Sequence, residues 1–179
     1  NFQRGEAMVK RREFAAAAVE FQRVLTVDEG NRTARLYLAS ALMELRRIPE
    51  SRAQLNAVLK DSPGDLDAHR MLGLFDAESG AFEEADLHFK TVARDAPLDN
   101  LGFQAWVTAL GGMRRWDEAL FRIEQWSAAS PSLAEPAYLR AMALFNANRR
   151  EEAFQALDAA KALAPGHPIR AQAERILSR

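Results

Sequence analysis

Cysteine is absent from the 179-residue sequence, and its absence excludes disulfide bonds and zinc sites built from thiolates. Long hydrophobic runs are missing too, because no stretch approaches the roughly 18 apolar residues of a membrane-spanning helix. We therefore expect no direct insertion into a membrane. A chain without cysteine is compatible with a reducing or an oxidising compartment.

An excess of one charge sign is also missing. The chain has 24 basic and 25 acidic side chains, which gives a formal net charge of −1. Binding to a nucleic acid backbone depends strongly on basic side chains that neutralise phosphates. This balance therefore disfavours nucleic acid as a partner.

The sequence lacks the short motifs that mark common catalytic, metal and cofactor sites. None of His69, His88 and His167 has a second histidine four residues away, the spacing that places two metal ligands on one helix face. No serine lies in a G-x-S-x-G turn. Gly111 and Gly112 belong to no phosphate-binding motif and are expected to end a helix early. We predict that the chain is not an enzyme and binds no metal or cofactor.

What the sequence does contain is a pattern that recurs every 34 residues. In EEADLHFKTVARDAP, residues 83–97, a small Ala85 precedes a large Phe89 by four residues, and Pro97 ends the stretch. Steps of 34 residues lead to similar residues in the other copies: Ala17, Phe21 and Glu29; Ser51, Leu55 and Pro63; Ala119, Ile123 and Pro131; Ala153, Leu157 and Pro165. A constant interval of this kind predicts a tandem array.

Within one copy, the spacing of apolar residues predicts two helices, over 66–79 and 82–95. Gly80 lies between them and can adopt the positive φ that ends a helix. Because the connection is short, the two helices must pack antiparallel. The small residues Gly73 and Ala85 are expected where their backbones approach each other.

A 34-residue helix-turn-helix with Leu-Gly at its seventh and eighth positions, Ala at the twentieth, a large apolar residue at the twenty-fourth and Pro at the thirty-second resembles the tetratricopeptide repeat. The resemblance implies an all-α fold, a right-handed α-solenoid of antiparallel helix pairs. It covers one solenoid over 1–179: a truncated repeat at 1–31, full repeats at 32–65, 66–99, 100–133 and 134–167, and a capping or partial-repeat helix at 168–179. One departure is Arg140, which takes the seventh position of the last full repeat.

The same resemblance implies that the first helix of each repeat lines a concave groove. Its groove positions carry over to Leu36, Ser40, Met43, Arg70, Leu74, Gln104, Thr108, Tyr138, Met142 and Phe145, with Phe2, Glu6, Val9 and Glu78 beside them. Members that grip a peptide's terminal carboxylate have lysine and asparagine at the fifth and ninth positions, and neither residue occurs there in this sequence. The apolar bias favours an amphipathic helix or an extended apolar segment as ligand.

Tyr138, Met142 and Phe145 are predicted to be the hot spot for partner binding in this groove, because spacings of four and three place them on one helix face. The alternative is that the final helix, with Ile169 and Ile176, folds over them as a cap.

Two further patterns have a structural interpretation and an open alternative. Trp106 and Trp126 occupy positions of smaller apolar residues in other copies, so core packing is expected, and a pocket opened by altered curvature is the alternative. Arginines recur near the turn between the two helices, in RREF, RRI, MRRW and NRR. There they are expected to interact with the negative end of the first helix.

The sequence thus predicts a binding scaffold that holds a peptide or helix of a partner protein in its groove. Abundant alanine and an excess of arginine over lysine indicate a bacterial source, with cytoplasm and periplasm both compatible. The chain begins at Asn1 inside a repeat, so we expect it to be part of a larger protein. The alternatives are self-association as a structural spacer in a cell-envelope assembly of the polysaccharide-export or pilus type, and a docking arm for a catalytic domain elsewhere.

Overall fold

The structure is a computed structural model that describes residues 1–178, and within that range it contains helices, turns and short connections but no strand. The all-α prediction is therefore confirmed. Eleven helices lie in the described range: α1 Phe2–Lys10, α2 Phe14–Val27, α3 Arg32–Glu44, α4 Ile48–Asp61, α5 Leu66–Ser79, α6 Phe82–Asp95, α7 Asn100–Gly112, α8 Trp116–Ala129, α9 Glu135–Asn146, α10 Arg150–Leu163 and α11 Arg170–Leu177. No helix among these residues is long and apolar enough to cross a membrane.

The helix boundaries follow the sequence period, and α5 and α6 begin and end at the predicted residues. The expectation that Gly111 and Gly112 end α7 early is wrong, because α7 continues through Gly112. A Cβ at Gly112 would lie 2.1 Å from Cε2 of Phe82. This glycine therefore permits the close approach of the first residue of α6.

The turn between the two helices of each pair contains one residue with positive φ. In α5–α6 this is Gly80, with φ of 82°, as its lack of a Cβ allows. The equivalent residues of the other pairs are Arg12, Arg46, Arg114 and Asn148, with φ between 58° and 64°. For a residue with a Cβ, the left-handed region costs roughly 1–2 kcal/mol. The turn geometry is therefore imposed by the packing of the two helices.

The recurring arginines are structural, but for a different reason from the expected one. Arg47, Arg115 and Arg149 immediately precede the second helix of their pairs rather than closing the first. The Nε atom of each donates a hydrogen bond to the glutamate three residues later, at 2.7, 2.6 and 2.7 Å, on Glu50, Glu118 and Glu152. Each glutamate also lies in the first turn, where a negative charge stabilises the helix.

The chain divides into two compact units, Asn1–Leu72 and Gly73–Arg179, with the division inside α5. In the first unit, consecutive helices from α1 to α4 pack against one another. The core contains Phe21, Leu25, Leu38 and Leu42, all buried. Gly5 lies against the ring of Phe21, where a Cβ would come within 2.7 Å of the ring carbons.

In the second unit, each helix from α6 to α9 packs against the next helix in the sequence, and α11 packs on α9 and α10. Phe89, Trp106 and Trp126 are fully buried in its larger core cluster. A Cβ at Gly73 would lie 3.0 Å from the ring of Phe89, so the small eighth position meets the large twenty-fourth position. The prediction of one solenoid over the whole chain stays a prediction.

Candidate partner-binding surfaces

In the first unit, the predicted groove positions of α3 form a half-exposed apolar face. Leu36, Ser40 and Met43 share this face and are each partly accessible to solvent. The other side of α3 is buried in the core, through residues that include Ala34 and Leu38. Amphipathic spacing therefore fixes which side of α3 a partner can reach.

The groove positions of α1 are closed by a neighbouring aromatic side chain. Tyr37 stacks on Phe21 at 5.1 Å between ring centroids and meets Phe2 edge-on at 5.5 Å. Its hydroxyl donates a hydrogen bond of 3.3 Å to Glu6 Oε1. Phe2 and Glu6 therefore serve packing within this unit, and Leu36, Ser40 and Met43 remain the accessible part of the predicted set.

Charged residues connect the starts of α3 and α5 beside this face. Arg32 donates hydrogen bonds to both carboxylates, at 3.0 Å to Asp65 Oδ1 and 2.6 Å to Asp67 Oδ2. Arg70 Nη1 lies 3.8 Å from Asp67 Oδ1, and the buried Nε of Arg70 has no hydrogen-bond partner among the described residues. The side chain of the predicted groove residue Arg70 is 30% exposed, so its terminal groups, and not the buried Nε, are the part that solvent reaches.

In the second unit, the predicted groove residues of α7 form a polar surface. Gln104 and Thr108 are exposed, and Gln104 Nε2 donates a hydrogen bond of 2.8 Å to Glu135 of α9. The Thr108 hydroxyl donates to the Gln104 carbonyl at 2.8 Å. Leu74, by contrast, is half-buried against the core cluster of Phe89 and Trp106.

The structure corrects the expectation that Tyr138 is open to a partner. Tyr138 has an exposed fraction of 0 %, its hydroxyl donates a 2.7 Å hydrogen bond to the Ala164 carbonyl, and its ring stacks on His167. Met142 and Phe145 are half-buried in a cluster that also contains Ile169, Ile176 and Leu177. The arrangement is that of the alternative, in which α11 covers this face of α9, because Ala173 and Leu177 of α11 are buried in the same cluster as Tyr138.

A buried charge network in the second unit was not foreseen from the sequence. Asp86 of α6 is only 4 % exposed and accepts hydrogen bonds from Trp106 Nε1 and Lys90 Nζ, each at 2.8 Å, and from Arg115. The guanidinium of Arg122 lies 3.9 Å from the centroid of the Trp106 ring. Trp106 is therefore a core residue, as expected, with a polar contact at each side. The available signal was Asp86 itself, an acidic residue on the helix face that contains Phe89.

The electrostatics of this network follow from burial and pairing. Desolvation acts to raise the pKa of Asp86, but the hydrogen bonds from Lys90, Trp106 and Arg115 outweigh it, so the pKa is lowered. Desolvation also lowers the pKa of Arg122, against the raising effect of Asp86 and Glu118. Asp86 therefore stays ionised in the core and holds α6, α7 and α8 together.

An open cleft lies between α8 and α10, with α9 as its floor. We call it the α8–α10 cleft; its main part has a volume of about 400 Å³ and its lining includes Ile123, Glu124, Ala137, Arg140, Ala156 and Ala159. A second part of about 260 Å³ shares Glu124 and Arg140 and extends to Leu120, Phe121 and Arg149. At about 100° per residue, Arg140 lies on nearly the opposite face of α9 from Tyr138 and Phe145, and Ala137 lies about a quarter turn from them. The predicted groove set contains none of these residues.

No group of three or more metal-ligating side chains lies together in residues 1–178. The surfaces described above present packing, hydrogen-bonding and charged groups.

Comparison with known proteins supports the fold of paired helices described above. Residues 8–74 match the family model for the tetratricopeptide repeat. A search of the curated proteins found no match.

Several solved structures are similar to the chain over most of its length. MamA AMB-1 has 20% identity and a TM-score of 0.83, covering 93% of this chain and 98% of that chain. MamA 41-end from Desulfovibrio magneticus RS-1 has 13% identity and a TM-score of 0.84, with 93% and 94% covered. YrrB, described as a TPR protein with an unusual peptide-binding site, has 18% identity and a TM-score of 0.84, with 97% and 90% covered.

At these identities the likenesses concern the fold, and the family match concerns one segment. Residues 8–74 therefore match the tetratricopeptide-repeat family, and the described chain has the tetratricopeptide-repeat fold.

Proposed function

We propose that the chain is a non-catalytic scaffold that binds an apolar or amphipathic segment of a partner protein on the α3 face of its first unit. The observation that carries the proposal is the half-exposed set Leu36, Ser40 and Met43 on α3, and the start of this helix is linked to α5 by the ion pairs of Arg32 with Asp65 and Asp67. Apolar side chains in such a position release water when a ligand covers them. The flexible Met43 side chain can adapt to ligands of different shape.

The predicted groove residues of the second unit are not part of this proposal. Gln104 and Thr108 of α7 donate hydrogen bonds within that unit, and Tyr138 is buried. The YrrB description names a peptide-binding site in a protein of this fold, which supports peptide binding as the activity to test. The chain then binds its partner and catalyses no reaction.

The test is a selection of displayed random 12-residue peptides on the whole chain, followed by affinity measurements on the selected peptides. The double variant Leu36→Ser with Met43→Ser should weaken their binding at least tenfold, because truncated apolar anchors commonly cost about 2 kcal/mol or more. The matched control is Val19→Ser with Val27→Ser, which removes two exposed apolar side chains from α2 of the same unit.

Circular dichroism should show the same helicity in both double variants. Equal affinity of the selected peptides for the wild-type chain and the α3 double variant would contradict the proposal. A larger loss of peptide affinity in the α2 control than in the α3 variant would show that the peptides bind at α2.

A further inference from the structure

The seventh position of the repeat is filled by a buried apolar side chain in every full copy except the last. Leu38, Leu72 and Trp106 have exposed fractions of 2, 1 and 1 % at this position. Arg140 takes the same position in the last full repeat and is exposed. A charged side chain therefore stands where the repeat pattern places a core residue.

The preceding copy shows what normally occupies the space next to this position. The indole of Trp106 lies between α6 and α8, since its N–H donates to Asp86 of α6 and Arg122 of α8 stacks on its ring. Thirty-four residues further along, the equivalents of Asp86, Trp106 and Arg122 are Leu120, Arg140 and Ala156. All three of these equivalents line the α8–α10 cleft. The cleft is therefore the space that an indole fills one repeat earlier.

The residues around this space suit an aromatic anchor. Ile123 of α8 and the alanines Ala137, Ala156 and Ala159 of α9 and α10 supply apolar walls with short side chains. The volume of about 400 Å³ lies within the range of sites that accept small molecules or anchoring side chains. Nothing in the described chain fills it.

The charges around the cleft define the second part of the ligand. Arg140 makes no hydrogen bond or close ion pair with another described residue, although it lines both parts of the cleft. Arg149, at the far end, is held by Glu152. Glu124 and Asp117 lie on the α8 wall and repel a second anion there. A single carboxylate that enters over α9 is therefore complementary to this arrangement.

We propose that the α8–α10 cleft binds a segment of a partner protein in which a tryptophan or a similarly large aromatic side chain lies next to a carboxylate. The aromatic side chain occupies the space left at the seventh position, and the carboxylate pairs with Arg140. Large aromatic anchors in water-excluding pockets are the residues that contribute most to protein interfaces. This surface is distinct from the α3 face and does not depend on it.

The first experiment uses two soluble probes with the same indole and opposite charge. N-acetyl-L-tryptophan carries a carboxylate and tryptamine carries an ammonium group. Titration into the ¹⁵N-labelled whole chain should show saturable chemical-shift changes at amides of α8, α9 and α10, with a Kd in the millimolar range for N-acetyl-L-tryptophan. Tryptamine should bind at least tenfold more weakly. Arg140→Glu should reverse this order.

Matched variants separate the cleft from general effects of charge or bulk. Arg4→Glu reverses an exposed charge on α1 and should leave both probe affinities unchanged. Ala159→Trp fills the cleft with an indole from α10 and should abolish binding of N-acetyl-L-tryptophan. Ala162→Trp adds the same bulk at an exposed position of α10 outside the lining and should retain binding.

A second experiment follows thermal stability and probe binding in one variant. Arg140→Leu restores the apolar side chain that other copies have and removes the cation, so it should raise the Tm by a few degrees and weaken the binding of N-acetyl-L-tryptophan. Chemical-shift changes confined to α3 or α7, equal binding of both probes, or unchanged probe binding in Arg140→Leu would each overturn the proposal. Self-association that Arg140→Glu abolishes, seen by sedimentation at several concentrations, would overturn it in favour of a second copy as the occupant.

Discussion

At the scale of single residues, the fold depends on contacts between a small and a large side chain on the two helices of a pair. Gly5 with Phe21 and Gly73 with Phe89 are two instances in which a Cβ on the glycine would crowd the ring. Such contacts tolerate little change in volume, because protein interiors are close-packed. They are therefore the positions at which substitutions test the repeat register.

Phe89→Ala should lower the free energy of unfolding by about 3–5 kcal/mol, because the ring is fully buried and its removal leaves a cavity. Urea unfolding followed by circular dichroism measures the change. Leu87→Ala on the same helix is the control, since Leu87 is 65% exposed and should change stability by about 0.5 kcal/mol or less. Equal losses in the two variants would show that the register of α6 is wrong.

Ala119→Phe tests the small twentieth position in α8. Ala119 is buried where α8 meets its neighbours, so a phenyl ring should cost about 1–3 kcal/mol through overpacking. Thermal unfolding measures this loss. The exposed Ala128 of the same helix is the matched site, and Ala128→Phe should melt close to the wild type.

At the scale of elements, α11 has the clearest consequence. Ala173 and Leu177 are buried in the cluster with Tyr138, so this helix covers an apolar face of α9. Terminal units of repeat arrays commonly need such a cover to stay soluble. The α9 face that was predicted from the sequence to be a hot spot is therefore covered within the protein.

Removal of residues 168–179 should therefore expose Tyr138, lower the Tm and increase the binding of a dye that reports exposed apolar surface. The size of the effect follows from the apolar area uncovered, at about 25 cal/mol per Å². The substitution Ala171→Ser, at an exposed position of α11, keeps the helix and should change none of these readouts. A truncated chain with unchanged Tm and dye binding would argue against the cover.

At the scale of the whole molecule, the response to pH combines the buried carboxylates of both units. Desolvation acts to raise the pKa values of Asp65 and Asp86, but hydrogen bonds outweigh it and lower both. For Asp65 the main donor is Arg32. For Asp86 the donors are Lys90, Trp106 and Arg115. A carboxylate with a lowered pKa stabilises the folded state above its unfolded pKa, near 3.9. That stabilisation is lost as the pH falls through the folded value.

The midpoint of urea unfolding should therefore change little from pH 7 to pH 5 on account of these two groups and fall steeply below about pH 4. Asp86→Asn should cost about 1–3 kcal/mol at pH 7, through a weaker contact with Arg115 and Lys90, and should flatten the fall. Asp95→Asn is the control, because Asp95 is exposed and pairs only with Arg94 at the surface. A fall of the same steepness in Asp86→Asn would show that other groups control acid unfolding.

The sequence by itself determined the helices, their boundaries and the recurring positions of small and large residues in a pair. These features depend on local spacing, as in Gly80 and the helices beside it, and on the period of the repeat, as in Gly73 and Phe89; the contact between these two residues came from the structure. It also marked Arg140 as a departure from the repeat, without showing that a cleft lies beside it.

Only the tertiary structure decided which helix faces are open. Tyr138 has the spacing of a groove residue, but α11 packs on it, and packing between distant elements is not encoded in local periodicity. The Asp86 network and the α8–α10 cleft likewise join residues that lie 20 or more positions apart. The packing of neighbouring repeats decides which of these residues meet, because it sets the distances between side chains. The spacing of residues along the sequence does not set those distances.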